Sequence, residues 1–272
     1  MTQPNHSISA SPQLAEDVFE GLQGKAELPL RPMIVLGIFA GAFIGFGGLF
    51  ATVVLAGADA LPHGIGQLAA GLAFSVGLAL VIIAGGELFT GNTLFAGPVS
   101  TGQLRLGKAV QALTIVYCAN FIGAVVLAAL VLAAKVHEAG DGALGQAALD
   151  LADGKTGNTF MVSFASGILA NMLVCLAVWL AYAGKTVTQK IAGLLLPVAA
   201  FVAAGLEHSV ANMYLLPYAW MVQATNGDGT GALSLLLILG NIVPATLGNI
   251  VGGAIIALGY RYAYMEAVTA KS

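Results

Sequence analysis

A chain of 272 residues that is 58% hydrophobic and only 8% charged, with a mean hydropathy of +0.90, departs sharply from soluble domains, which carry about 25% charged residues. The composition specifies an integral membrane protein. It gives no support to nucleic-acid binding, because no basic stretch is present to meet phosphates, and the net charge of −3 says little with so few charges to arrange.

Residues 1–28 are polar and acidic, with Glu16, Asp17, Glu20 and Glu27, and they lack the short apolar core behind a basic start that marks a secretory signal. Apolar residues at Leu14, Val18, Phe19 and Leu22 fit one face of a short amphipathic helix lying on the membrane surface or on the protein itself. Six apolar regions follow, at 30–57, 67–98, 108–136, 159–184, 188–224 and 232–262. A membrane span needs about 20 apolar residues, so residues 29–262 are read as one six-span domain and 263–272 as a tail. The second and fifth regions are too long for one straight helix, and glycine or polar residues interrupt both. Small-xxx-small repeats such as Gly37, Gly41 and Gly45 suit close helix packing in lipid. Cys118 and Cys175 sit in apolar runs with no CxxC pair, so they read as small packing residues, with no disulfide framework and no metal.

Lysine and arginine set the orientation. With six spans, one side holds Lys25, Arg31, Arg105, Lys108, Lys185, Lys190, Arg261 and Lys271, and the other only Lys135 and Lys155. Both termini are expected on the cytoplasmic side.

GGELFTGNTL (85–94) and GLEHSVANMY (205–214) share Gly, Glu and Asn at the same spacing: Gly85, Glu87 and Asn92 against Gly205, Glu207 and Asn212. Asn120-Phe-Ile-Gly123 likewise resembles Asn249-Ile-Val-Gly252. Two related halves of three spans each must be inserted in opposite senses, and matched interruptions in such inverted repeats point to the binding site. Gly85, Gly86, Gly91 and Pro98 in one half, and Gly205 and Pro217 in the other, oppose a continuous helix. Glu87 and Glu207 are the carboxylates of the expected membrane interior. A buried carboxylate needs donors, and the structural role expected for both is to accept the backbone N–H groups freed at the breaks, with Asn92 and Asn212 beside them. Two roles are open to His208, a satisfied polar contact or a member of an ion or proton path. Its place in one of two matched interruptions, where Leu88 is the counterpart, favours the path.

GGELFTGN (85–92), GILANMLVCLAVWLA (167–181) and AAGLEHSVANM (203–213) closely resemble the motifs of the formate/nitrite transporter family, and the likeness runs from about residue 30 to 262. The resemblance implies an all-α, aquaporin-like protomer with six spans in an inverted 3+3 repeat, spans two and five broken. It implies a homopentamer in the bilayer of the inner (cytoplasmic) membrane, each protomer with its own pore for small monovalent anions of weak acids. It implies that Phe74 and Leu78 form part of one apolar constriction and Phe201 lines the other, with His208 between them. By the same resemblance Leu88, Phe89 and Thr90 lie on a gating loop, and Thr90 approaches His208. Asn171 and Asn249 make polar contacts to His208 or the anion, and Lys155 draws anions into the outer vestibule. No cofactor and no catalytic residue are implied.

An anion entering an apolar constriction loses several kcal/mol or more of solvation, whereas a weak acid that takes a proton crosses as a neutral molecule. His208, with a reference pKa of about 6.5, is expected to protonate the anion directly or through water. Two other classes fit poorly. Haem or quinone carriers generally need several intramembrane histidines, but His6, His63 and His137 fall in the tail or loops; a neutral-solute channel is expected to carry paired Asn-Pro-Ala motifs, which are lacking. The LVIIAGGELFTGNTLF stretch looks nitrite-like, while LLPVAAFVAAGLEHSVANMYLLP and LANMLVCLAVWLAYAGK look formate-like and hold more pore positions. Formate is therefore the expected substrate, with nitrite or hydrosulfide the alternative.

Overall fold

The computed structural model describes residues 11–58, 60–225 and 233–265; His6 and Lys271 lie outside them. The regular structure among the described residues is all helical. They comprise α1 (Ser11–Ala26), α2 (Leu30–Leu55), α3 (His63–Leu80), the short α4 (Phe89–Asn92) and α5 (Ala96–Ser100), α6 (Leu106–Ala133), α7 (Ala143–Thr156), α8 (Phe160–Ala183), α9 (Val187–Ala203), α10 (Ser209–Thr225) and α11 (Leu235–Tyr260). Five helices are long and apolar enough to cross a membrane, namely α2, α3 with its terminal π-turn, α6, α8 and α11 with its own. The fifth apolar region of the sequence is instead two shorter helices, α9 and α10, separated at Ala204–His208.

Outward-facing leucine, valine and phenylalanine on the long helices, among them Phe39, Phe50, Leu130, Leu196 and Leu236, have no water-soluble explanation and suit lipid or a neighbouring subunit. The inward faces are lined by small residues. At Gly123 on α6 a Cβ would collide with the Ile38 carbonyl of α2, and at Gly252 on α11 one would collide with the Ile168 carbonyl of α8. Each glycine lets two backbones approach without an intervening side chain, which fixes the pairs α2/α6 and α8/α11.

Polar side chains start several helices where the chain emerges from apolar packing. Thr186 and Gln189 form a reciprocal capping box at α9, and the hydroxyls of Thr159 and Ser234 accept from Val162 and Leu237 N–H at α8 and α11. α1 and α7 are amphipathic and bury Leu14, Val18, Phe19 and Leu22 in one case, and Leu144, Ala148 and Ala152 in the other. The α7 helix went unnoticed in the sequence, although its small and apolar residues recur at helical spacing. Of the two cysteines, Cys175 is buried and Cys118 is exposed on α6, so only the first packs inside the protomer.

Candidate functional site

Two interruptions of the helical backbone face each other in the protein interior. α3 ends in a π-turn over Val81–Gly85 and the chain runs extended through Gly86 to Leu88 before α4. α9 ends at Ala203, and the chain turns before α10 starts at Ser209. Gly85 (φ 92°) and Gly205 (φ 66°) both occupy the left-handed region, where a Cβ is strained. That is the physical reason for the first residue of the two Gly-x-Glu motifs.

The same bracing recurs at both breaks. The Asn120 amide oxygen accepts from Phe89 N–H at 2.9 Å, and its Nδ2 donates to the carbonyls of Gly37 and Glu87, both at 2.8 Å. The Asn249 amide oxygen accepts from Ser209 N–H at 2.8 Å, and its Nδ2 donates to the carbonyls of Gly167 and Glu207 at 2.8 and 3.0 Å. The Glu87 carboxylate accepts from Lys25 Nζ and Asn92 Nδ2, each at 2.8 Å. The Glu207 carboxylate accepts from Lys155 Nζ at 3.1 Å, Asn158 Nδ2 at 3.3 Å and Asn212 Nδ2 at 2.6 Å. Lys25 and Lys155 close the last turns of α1 and α7.

These contacts bear on three expectations. The freed amides at Phe89 and Ser209 are taken up by asparagine side chains, because an amide oxygen satisfies a buried N–H without bringing a charge to the break; the glutamates instead anchor lysines. Asn249 does not reach His208, since both ends of its amide are committed to backbone. Asn171 also misses it, and its Nδ2 serves Thr90 O, Thr93 Oγ1 and Asn249 O while its Oδ1 has no partner. Lys155 is not a free vestibule charge, because its side chain is only 14% exposed and its ammonium is paired with Glu207 at 3.1 Å. Asn120, Lys25 and Asn158 brace the two breaks and were not assigned from the sequence. The signal for Asn120 was present as the repeat mate of Asn249. Replacing Asn249 by Ala strands three buried backbone groups at about 1–3 kcal/mol for each unsatisfied group, so a loss of thermal stability of at least that order is expected in a melting experiment.

His208 is the N-cap of α10. Its Nδ1 accepts Ala211 N–H at 3.0 Å, while its Nε2 lies 2.9 Å from Thr90 Oγ1. An amide can only donate, so Nδ1 is unprotonated and the neutral ring carries its proton on Nε2, donating it to the threonine hydroxyl. The Thr90 hydroxyl proton is left free for another acceptor. The His208 ring stacks on Phe201 at 5.6 Å (20°), and Phe201 meets Phe74 edge-to-face at 5.5 Å. Phe74 and Phe201 therefore form one apolar layer, not two constrictions on either side of His208, as had been expected; Leu78 lies one helical turn beyond Phe74 on α3.

Cavities open on both sides of this layer. On one side a cavity of about 80 Å³ is lined by Phe74, Phe201, His208, Lys155 and Asn212, and a wider one of about 410 Å³ shares Leu55, Gln67 and Leu151 with it and adds His63 and Asp150. On the other side a cavity of about 360 Å³ is lined by Leu78, Leu88, Glu87, Asn92, Lys25, Tyr182 and Lys190. Leu88 thus faces a cavity. Phe89 faces none of these cavities and packs on Tyr117 at 4.8 Å, so it fastens the loop to α6. The arrangement is two half-channels separated by a thin apolar layer, with one imidazole–hydroxyl pair at the layer and no cluster of metal-ligating side chains among the described residues.

Known proteins share this plan. Residues 12–263 match the formate/nitrite transporter family. The chain is 32% identical to formate channel FocA of Escherichia coli K12 over 95% of its length and 94% of the relative's. It is 39% identical to a probable formate transporter of Methanothermobacter thermautotrophicus, covering 89% and 92% of the two chains. Among solved structures, a pentameric formate channel with formate bound superposes with a TM-score of 0.80 at 38% identity, over 88% of this chain and 98% of that one. Such relatives are channels and transporters, not enzymes, and the apolar helices agree with an integral membrane location. The chain belongs to the formate/nitrite transporter family.

Proposed function

We propose that the protein carries formate across the inner membrane through a pore within each protomer of a homopentamer, as a weak acid whose anion is protonated at the His208–Thr90 layer. The observation that carries this reading is the Thr90 Oγ1–His208 Nε2 pair beside the Phe74–Phe201 layer, with a cavity on either side. The relatives named as formate channels support the substrate and the oligomer. The duplicated bracing of Glu87 with Asn92 and Asn120, and of Glu207 with Asn212 and Asn249, supports an inverted 3+3 repeat of six spans within residues 29–262. In that plan α3 with α4 and α9 with α10 are the two broken spans. The lysine and arginine bias supports cytoplasmic termini.

The geometry favours protonation through water over direct donation by the ring. A neutral imidazole is a poor acid, and the imidazolium would need a proton on Nδ1, which the Ala211 amide occupies. In this mechanism His208 Nε2–H polarises the Thr90 hydroxyl, whose own proton is given as a hydrogen bond to the arriving carboxylate. The anion pauses there, takes a proton that cavity water relays from the bulk solution, passes Phe74, Phe201 and Leu78 as a neutral acid, and returns the proton to water on the far side. Leu88 and Thr90 stand on the gating loop, Phe89 holds that loop, and the Lys155–Glu207 pair turns its positive end to the outer cavity.

Liposomes holding the purified protein test this. Isotopic formate uptake well above that of empty liposomes is expected, rising as pH falls from about 7 to about 5 as more acid is protonated. Uptake confined to nitrite or hydrosulfide would move the substrate within the family. Faster passage of water or glycerol than of any weak acid would sink the mechanism.

A further inference from the structure

The two mouths of the pathway differ in charge. In the outer cavities Lys155 is paired with Glu207, and the other ionisable groups lining them are His208, engaged with Thr90 and the Ala211 amide, His63, and the carboxylate of Asp150, which accepts from Gln146. In the opposite cavity Lys25 is likewise cancelled by Glu87, at 2.8 Å. Lys190 lines that cavity as well, and among the described residues its ammonium has neither an ion-pair nor a hydrogen-bond partner. Tyr182 lines the same cavity. Lys190 sits in the first turn of α9, whose N-terminus is already satisfied by the Thr186–Gln189 capping box. A cation there opposes the helix dipole, so its position does nothing for the helix. It does add to the positive potential of the helix end in a cavity of about 360 Å³, where low-dielectric walls concentrate the field.

We propose that Lys190, which lines the same cavity as Tyr182, is the anion-gathering group of the mouth on its side of the pore, and that the opposite mouth has no unpaired ammonium of this kind among the described residues. The role rests on the transport reading above. The ligand is a small carboxylate or inorganic anion, held loosely by the Lys190 ammonium before it reaches Leu78 and Leu88. Lys190 acts as a positioning residue, since it lies outside the layer where the proton is exchanged.

Right-side-out and inverted membrane vesicles from cells producing the full-length protein present the two mouths separately. Isotopic formate flux from each side should show that Lys190→Ala raises the KM about three- to fivefold for formate offered to the Lys190 mouth, as loss of one partly screened charge implies. The KM from the other mouth should stay unchanged. Lys190→Arg should keep the wild-type value, and salt at about 0.5 M should shrink the difference as the charge is screened. The melting temperature of Lys190→Ala should equal or slightly exceed that of wild type, which a structural role would not give. An unchanged KM from both sides, or an equal rise from both, overturns the assignment while leaving the transport reading intact. Wild-type vesicles that move formate, nitrite and hydrosulfide no faster than vesicles without the protein would overturn both.

Discussion

His208→Ala is expected to convert a pH-dependent weak-acid pathway into a leak for anions such as chloride. The ring is fully buried, caps α10 through Nδ1, holds Thr90 through Nε2 and stacks on Phe201. Its removal takes away the donor that polarises Thr90 and opens a ring-sized space next to the apolar layer. Water filling that space lowers the desolvation cost that confines passage to neutral acids. A permanent anion, which has no protonated form to fall back on, gains most. Planar-bilayer recordings should show chloride conductance in the variant at least about tenfold above wild type, equivalent to about 1.4 kcal/mol off the barrier, and little change between pH 5 and 7. A His208→Ala protein that kept the wild-type pH dependence and excluded chloride would refute the role given to the ring. Thr90→Val, which keeps the shape and loses the hydroxyl, should slow formate without admitting chloride, separating the donor from the plug.

Glu207→Ala is expected to destabilise the protein far more than Glu87→Ala, although the two glutamates occupy matching places. Lys155 is 14% exposed and would be left as a buried uncompensated charge, for which about 3–5 kcal/mol is the usual penalty. Lys25 is 31% exposed and can turn toward water, so its loss of partner costs less. Asn158 and Asn212 also lose their acceptor in Glu207→Ala, whereas Glu87→Ala strands Asn92. Melting curves in detergent should rank wild type, Glu87→Ala and Glu207→Ala in falling order. The double variant Lys155→Met with Glu207→Gln removes both charges and keeps an amide oxygen for Asn212, so it should recover most of the stability. If the double variant melts no higher than Glu207→Ala, the orphaned charge is not the cause. A buried pair of this kind is poor at adding net stability but effective at making one arrangement of the break much better than any other, and it ties α7 to the loop that carries His208.

The lysine partners explain why the two amphipathic helices matter to the site. By sequence, residues 1–28 form a cytoplasmic segment apart from the six-span domain. Within it α1 delivers Lys25 to Glu87 across 62 positions of sequence, as α7 delivers Lys155 to Glu207 across 52. The loop from Glu87 to Thr90 is therefore fastened from one side by α1 and from the other by Asn120 of α6.

By itself the sequence determined the membrane character, the apolar helices, the two places where helix gives way, and His208 as the polar residue without a twin. Each depends on properties written locally: hydropathy over about 20 residues, glycine where φ turns positive, and repetition of a short motif. Tertiary structure alone decided the partners. Periodicity puts Phe74 and Phe201 on buried faces but cannot say that their rings share one layer. Composition marks Glu87 and Glu207 as needing donors but cannot choose between backbone amides and lysines. Asn120 and Asn249 stood out as a repeated pair, yet their hydrogen bonds join positions 31 to 83 residues apart. Thr90 meets His208 across 118 residues, a contact suggested by resemblance to a family and by nothing in the local pattern. Such choices depend on which surfaces the close-packed pairs α2/α6 and α8/α11 bring together. That geometry arises only when the whole chain has folded.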